Sequence, residues 1–289
     1  MTNSFPYPQF MLYTLSLFEY MFNWVPDTYK SLTLLVYRLP LLISDCVILL
    51  ILLKWLKGHP LKVMLFYWLS PVLIYISYIH GQLDVIPVCL LFISLYALFK
   101  DRFLISGLFL GLSLAAKMTG LMAVPFFLVY FYLNKTRKKS CLIFLTTLVV
   151  CFVVINIPYA SSHYFSMVFQ NDQQSKLLHL SLDLMSGRTF YVIFFVYGIL
   201  LFHSITFVTV NRDVFNMFLG FTFGSILLFI PPAPGWYFWF LPFLIYFCIK
   251  NEGKSYIIFF GLQTMYFIYF FIIPESDYFQ LLLYSSGWK

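Results

Sequence analysis

Apolar runs of roughly 17–25 residues, separated by short polar breaks, recur from Ser31 almost to the C-terminus. Runs of that length cross a ~30 Å hydrocarbon core as helices, whereas barrel strands are shorter and alternate in polarity. The pattern predicts spans near 31–56, 61–79, 83–99, 103–133, 140–158, 189–210, 214–230, 236–249 and 255–273, hence an all-α, polytopic transmembrane helix bundle with about ten membrane helices. Segment 103–133 is bounded by basic residues at both ends, so it must enter and return. At ~1.5 Å per residue neither half crosses a full bilayer, which predicts a hairpin of two short helices with Lys117 at its tip. Residues 8–24 (PQFMLYTLSLFEYMFNW) are apolar but short and contain Glu19, which suits a helix lying in the membrane interface. The expected organisation is an outer-face segment at 1–30 followed by one transmembrane domain at 31–289. The longest polar connection is 159–188, whose LLHLSLDLM stretch is expected to form an amphipathic surface helix.

Composition sharpens this picture. With 62% hydrophobic and only 10% charged residues, the chain cannot be a water-soluble domain. The net charge of +7 gives no reason to invoke nucleic acid, because the basic residues cluster between apolar runs. Lys54, Lys57, Lys62, Lys100, Arg102, Lys135, Arg137, Lys138, Lys139, Arg212, Lys250 and Lys254 fall on one side of a single consistent threading, which the positive-inside rule makes cytoplasmic. The membrane expected is the plasma or inner membrane of a prokaryote. Cys46, Cys89, Cys141, Cys151 and Cys248 lack any CxxC spacing and read as small buried hydrophobes, with no zinc site. The start has no basic n-region and no apolar h-region, so no cleavable signal is expected. An external N-terminus without a preceding span implies either an upstream span missing from this chain or translocation of a short tail.

Ionisable groups inside spans cost a few kcal/mol each and mark candidate sites. Arg38 and Asp45, in YRLPLLISD, share one helix face. Arg38 lies nearer the outer end, where its planar fork suits a phosphate; Asp45 equally fits a structural intramembrane network. His80, Gln82 and Asp84 of HGQLD stand between two spans on the non-cytoplasmic side. Their groups suit sugar hydroxyls and proton transfer, though Asp84 can instead cap the helix that follows. Lys117, in LSLAAKMTG, either snorkels to the outer interface or meets an anion such as phosphate. Trp236, Tyr237 and Trp239, in PPAPGWYFWFLPF, suit an aromatic wall for a sugar ring or isoprenoid chain, or an ordinary interfacial belt. His163, Asp172, His179, Asp183 and Arg188 in the outer connection have spacings that specify nothing.

YPQFMLYTLSLF, YRLPLLISD, LSPVLIYISYIHGQLDVIPV, SGLFLGLSLAAKMTGLMAVPF and PGWYFWFLPF resemble, in order, blocks of the GT-C superfamily of multi-spanning glycosyltransferases. The nearest similarity is to bacterial and archaeal members akin to dolichol-phosphate-mannose-dependent mannosyltransferases, over 6–134 and 231–248. The resemblance implies inverting transfer of a hexose from a polyprenyl-phosphate donor to an acceptor glycan, lipid or protein at the outer membrane face. It assigns Lys117 and Arg38 to the donor phosphate, and His80, Gln82 and Asp84 to the sugar-phosphate pocket. Some members use a divalent cation; Asp84 beside His80 offers a poor cage for one, and no metal ligands are assigned. Superfamily members usually place an acidic general base in an outer loop after a first span, whereas this chain opens at the YPQF block. That implies a shortened start, a partner subunit supplying the missing element, a homologue without activity, or Asp84 acting as substitute base. A transporter or flippase of lipid-linked sugars, and a non-catalytic synthase subunit, are the alternative readings.

Overall fold

The computed structural model describes residues 7–22, 24, 30–161, 180–184, 187–230 and 232–272. These hold twelve helices: α1 Gln9–Met21, α2 Lys30–Trp55, α3 Pro60–Trp68, α4 Pro71–Ile79, α5 Val85–Leu98, α6 Phe103–Ala116, α7 Val124–Leu133, α8 Lys138–Asn156, α9 Val192–Ile205, α10 Arg212–Phe229, α11 Tyr237–Asn251 and α12 Lys254–Ile272. A short hairpin, β1 Ser181–Leu184 with β2 Arg188–Tyr191, precedes α9. The all-α polytopic architecture is the one the apolar periodicity predicts. Among the described residues, four helical segments are long and apolar enough to cross a bilayer: Leu35–Trp55, Lys138–Tyr159, Arg212–Phe229 and Lys254–Ile272. The expected span at 61–79 is instead broken into α3 and α4, bent by 47°. Its cause is local: Pro71 cannot donate to the preceding turn, and the Ser70 hydroxyl starts a new helix by accepting from the Leu73 amide.

Two compact units divide the chain, the first from 1–121 with 137–169, the second from 122–136 with 170–289. In the first unit α6 is held between α5 and α8. Against α8 it presents Gly107 and Gly111, four residues apart on one face. A Cβ at Gly107 would stand 2.3 Å from the Phe144 carbonyl oxygen, and one at Gly111 2.7 Å from that of Leu148. In lipid, where apolar burial between helices drives nothing, such close backbone approach is a main source of attraction. Against α5, α6 is tied by serines. Ser94 Oγ donates to the Ser106 carbonyl at 2.7 Å, and Ser113 Oγ donates to the Pro87 carbonyl at 2.8 Å. Seven residues back along α5 correspond to seven forward along α6, so the two run antiparallel around the exposed Lys100–Asp101–Arg102 turn.

Segment 103–133 does break into two short helices, with extended backbone at Lys117 and a 3₁₀ stretch, Met118–Ala123, between them. The antiparallel neighbour of α6 within its unit is α5, and α7 belongs to the second unit. The helix expected within 8–24 is α1. It packs against α2, α6 and α8, buries Met11 and Gln9, and exposes Leu17, Tyr20 and Met21.

In the second unit the Asn134 side-chain amide brackets Val210, donating to its carbonyl at 2.9 Å and accepting from its N–H at 3.0 Å. Phe126 stacks on Phe218, and Phe127 meets Phe215 edge-on. The surface helix expected for LLHLSLDLM is overturned where it is described: Ser181–Leu184 is a strand, with Leu182 opposite Phe190 and Asp183 opposite Thr189. The strict alternation of leucine with His, Ser and Asp has the two-residue period of a strand.

Gly111→Leu is expected to cost about 1–3 kcal/mol by forcing α8 away from α6, read as a fall in the melting temperature of the detergent-solubilised protein. Gly198→Ala in α9, where an added Cβ meets nothing within 4 Å, should leave that temperature unchanged or slightly raised.

Candidate functional site

The antiparallel ladder of α5 and α6 continues one step beyond its serines, and that step is ionic. Asp84 sits at the N-cap of α5 and Lys117 at the C-cap of α6; Lys117 Nζ donates to Asp84 Oδ1 in a salt bridge. Each charge also stands at the helix end whose dipole favours its sign. The capping reading of Asp84 is corrected, because its side chain makes no cap hydrogen bond to the α5 amides. The Asp84 side chain is 1% exposed and that of Lys117 19%, so the acid is buried while the lysine side chain stays partly open.

Tyr7 completes the contact, its ring centroid 5.6 Å from Lys117 Nζ. Burial, and then the Asp84 carboxylate, push the Tyr7 phenol well above its ordinary range, so it stays neutral. Two residues on, Gln9 is fully buried with neither amide atom hydrogen-bonded among the described residues. The site assignments read from sequence omit both Tyr7 and Gln9. Their signal was present in the YPQF block, which carried resemblance but no intramembrane charge to single it out.

The other HGQLD residues form the turn that delivers Asp84. The His80 amide donates to the Tyr75 carbonyl at 2.7 Å and that of Gln82 to Ile76 at 2.9 Å, closing α4. Gly81, at φ +74°, supplies the left-handed step that reverses the chain. Gln82 Nε2 donates to His80 Nδ1 at 2.9 Å, and the His80 ring is exposed. Arg38 is half-buried, with Nη2 3.5 Å from the Ile79 carbonyl, at the edge of the same turn.

Asp45 lies apart from Arg38 and works as a brace. Tyr67 Oη donates to its Oδ1 at 2.6 Å and Tyr78 Oη to its Oδ2 at 2.5 Å. The buried Asp45 carboxylate thus ties both arms of the bent α3–α4 span to α2. Since Tyr78 stands two residues before His80, the brace fixes the turn that carries Asp84.

Trp236, Tyr237 and Trp239 belong to the second unit. There Trp239 is buried against Phe223 and Tyr237 against Tyr266, leaving Trp236 the most accessible of the three. Asp183 and Arg188 are exposed on β1 and β2, while His163, Asp172 and His179 lie outside the described residues. No group of three His, Cys, Asp or Glu side chains gathers as a metal cage among the described residues. Among the described residues Asp84 stands as the one carboxylate of this site and is paired with Lys117.

The profile of glycosyltransferase family 87 matches residues 5–231, more than half of the chain. The chain belongs to glycosyltransferase family 87. Its GT-C-like character agrees with the resemblance seen in the sequence blocks, and membership makes the protein an integral membrane glycosyltransferase. The matched region contains Tyr7, Arg38, Asp45, His80, Asp84 and Lys117, the whole of the first-unit site. No curated protein and no solved structure matches it.

Asp45→Ala would strand two phenols inside the bundle. The expected loss is about 1–3 kcal/mol for each hydroxyl left unsatisfied, measured as reduced thermal stability, whereas Tyr78→Phe removes one donor and should cost visibly less.

Proposed function

We propose that this family 87 enzyme transfers a hexose, mannose in the first instance, from a polyprenyl-phosphate donor to an acceptor glycan or glycolipid at the extracytoplasmic face. Transfer proceeds with inversion at the anomeric carbon. The observation that carries the reading is the Lys117–Asp84 pair: a partly open cation beside a buried carboxylate, on elements the sequence holds far apart.

The orientation rests on charge. The α5–α6 hairpin carries Lys100 and Arg102 at its turn, and Asp84 with Lys117 at its other end. With basic turns held in the cytoplasm, the paired end faces outward. Helices of 14 residues are about 21 Å long, short of the ~30 Å core. The pair therefore sits recessed, at a depth where a lipid-borne phosphate would leave bulk water as it docks. There an ammonium offsets the charge developing on the departing phosphate far better than it would in water. Tyr7 lies against the same pair, and the exposed His80 ring with Arg38 lies along the turn that carries Asp84, where a sugar phosphate would find further donors.

The test is sugar transfer from polyprenyl-phosphate mannose by purified protein in lipid nanodiscs. Lys117→Ala should lower turnover per folded molecule about 100-fold, in the range for loss of a group that stabilises transition-state charge, and should also lower thermal stability, because the buried Asp84 carboxylate loses its counter-charge. Undiminished transfer by this variant would remove Lys117 from the phosphate site and the reading with it.

A further inference from the structure

The salt bridge raises a difficulty that becomes informative. A lysine already neutralised by a carboxylate cannot give its full charge to a phosphate, and a carboxylate covered by a lysine cannot receive a proton from a hydroxyl. We infer that the pair is exchangeable: the donor phosphate draws Lys117 away from Asp84, and the uncovered Asp84 carboxylate then takes the proton of the acceptor hydroxyl. This deepens the proposed function and rests on it.

The geometry says which partner moves. Asp84 has a short stem fixed at the N-cap of α5, inside a turn closed by the backbone bonds of His80 and Gln82, and it is 1% exposed. Lys117 has a four-carbon stem on extended backbone, past the last turn of α6, and is 19% exposed. An approaching anion therefore meets the ammonium first, and a swing about the lysine stem uncovers the acid. When the lysine leaves, the α5 N-terminus still favours negative charge at Asp84. Tyr7, held neutral by its burial, does not compete for the proton.

The step balances. The acceptor oxygen forms a bond to the anomeric carbon as the bond from that carbon to the phosphate oxygen breaks. The acceptor proton passes to Asp84, and the bonding pair leaves with polyprenyl phosphate, whose added negative charge faces Lys117. Exchange thus makes the base available only when a donor is in place.

The experiment uses the full chain in nanodiscs with undecaprenyl phosphate as probe, measuring lipid binding and sugar transfer. Asp84→Asn should bind the lipid phosphate several-fold more tightly than the parent while losing transfer at least 100-fold. Weaker binding by Asp84→Asn would mean the carboxylate merely holds the lysine in place, and retained transfer would mean that Asp84 takes no proton; either result overturns the exchange. The unsubstituted protein gives a second readout: carbodiimide labelling of Asp84 should rise when undecaprenyl phosphate is added, and labelling that stays flat or falls contradicts the inference. Failure of the underlying reading looks different, since Lys117→Ala would then bind undecaprenyl phosphate as the parent does.

Discussion

An ion pair at the end of a helical hairpin, Lys117 with Asp84, is the contact on which the arrangement of the first unit depends. Separate charges inside a bilayer are expensive, and the expense falls when opposite charges meet at the right helix ends. Asp84 and Lys117 meet that condition, each at the terminus whose dipole suits it. The contact also joins two sequence blocks, HGQLD and SGLFLGLSLAAK, that have no local reason to be neighbours.

The scaffold exists to keep that contact in register. Glycines let α6 approach the α8 backbone closely, and serines on α5 and α6 satisfy their hydroxyls on opposing carbonyls, so α6 is fixed on two sides. Turning to the other partner, Asp84 is delivered by the reversal at Gly81, and the arms feeding that reversal are tied to α2 by the Asp45–Tyr67–Tyr78 brace. Two buried acids thus have different duties. Asp45, accepting from the Tyr67 and Tyr78 phenols, braces the bent span; Asp84, paired with Lys117, stands at the open end of the α5–α6 hairpin.

Much of this was legible in the sequence, and the remainder failed for identifiable reasons. Length and hydropathy suffice for an all-α bundle, because lipid leaves helices few competitors. The break at Lys117 follows from charged bounds around too short a segment. The pairing of Asp84 with Lys117 is also latent, since the two stand equidistant from the Lys100–Asp101 turn, but basic residues at both ends of 103–133 equally predict an antiparallel return inside that segment. The bent α3–α4 span was hidden because π-helical turns shift the phase of side chains and hydropathy does not register phase. At 181–184 the period of two was in plain view; expectation of a membrane-surface helix outweighed it. The aromatic run at 236–239 shows the limit of composition, which cannot distinguish a ring facing a ligand from one packed in a core.

The most direct measurement is an experimental structure of the protein in nanodiscs with undecaprenyl phosphate bound. The account predicts the phosphate against Lys117, with the lysine drawn off Asp84 and the carboxylate facing an opening. A phosphate bound elsewhere, or one seated while Lys117 still holds Asp84, would contradict it.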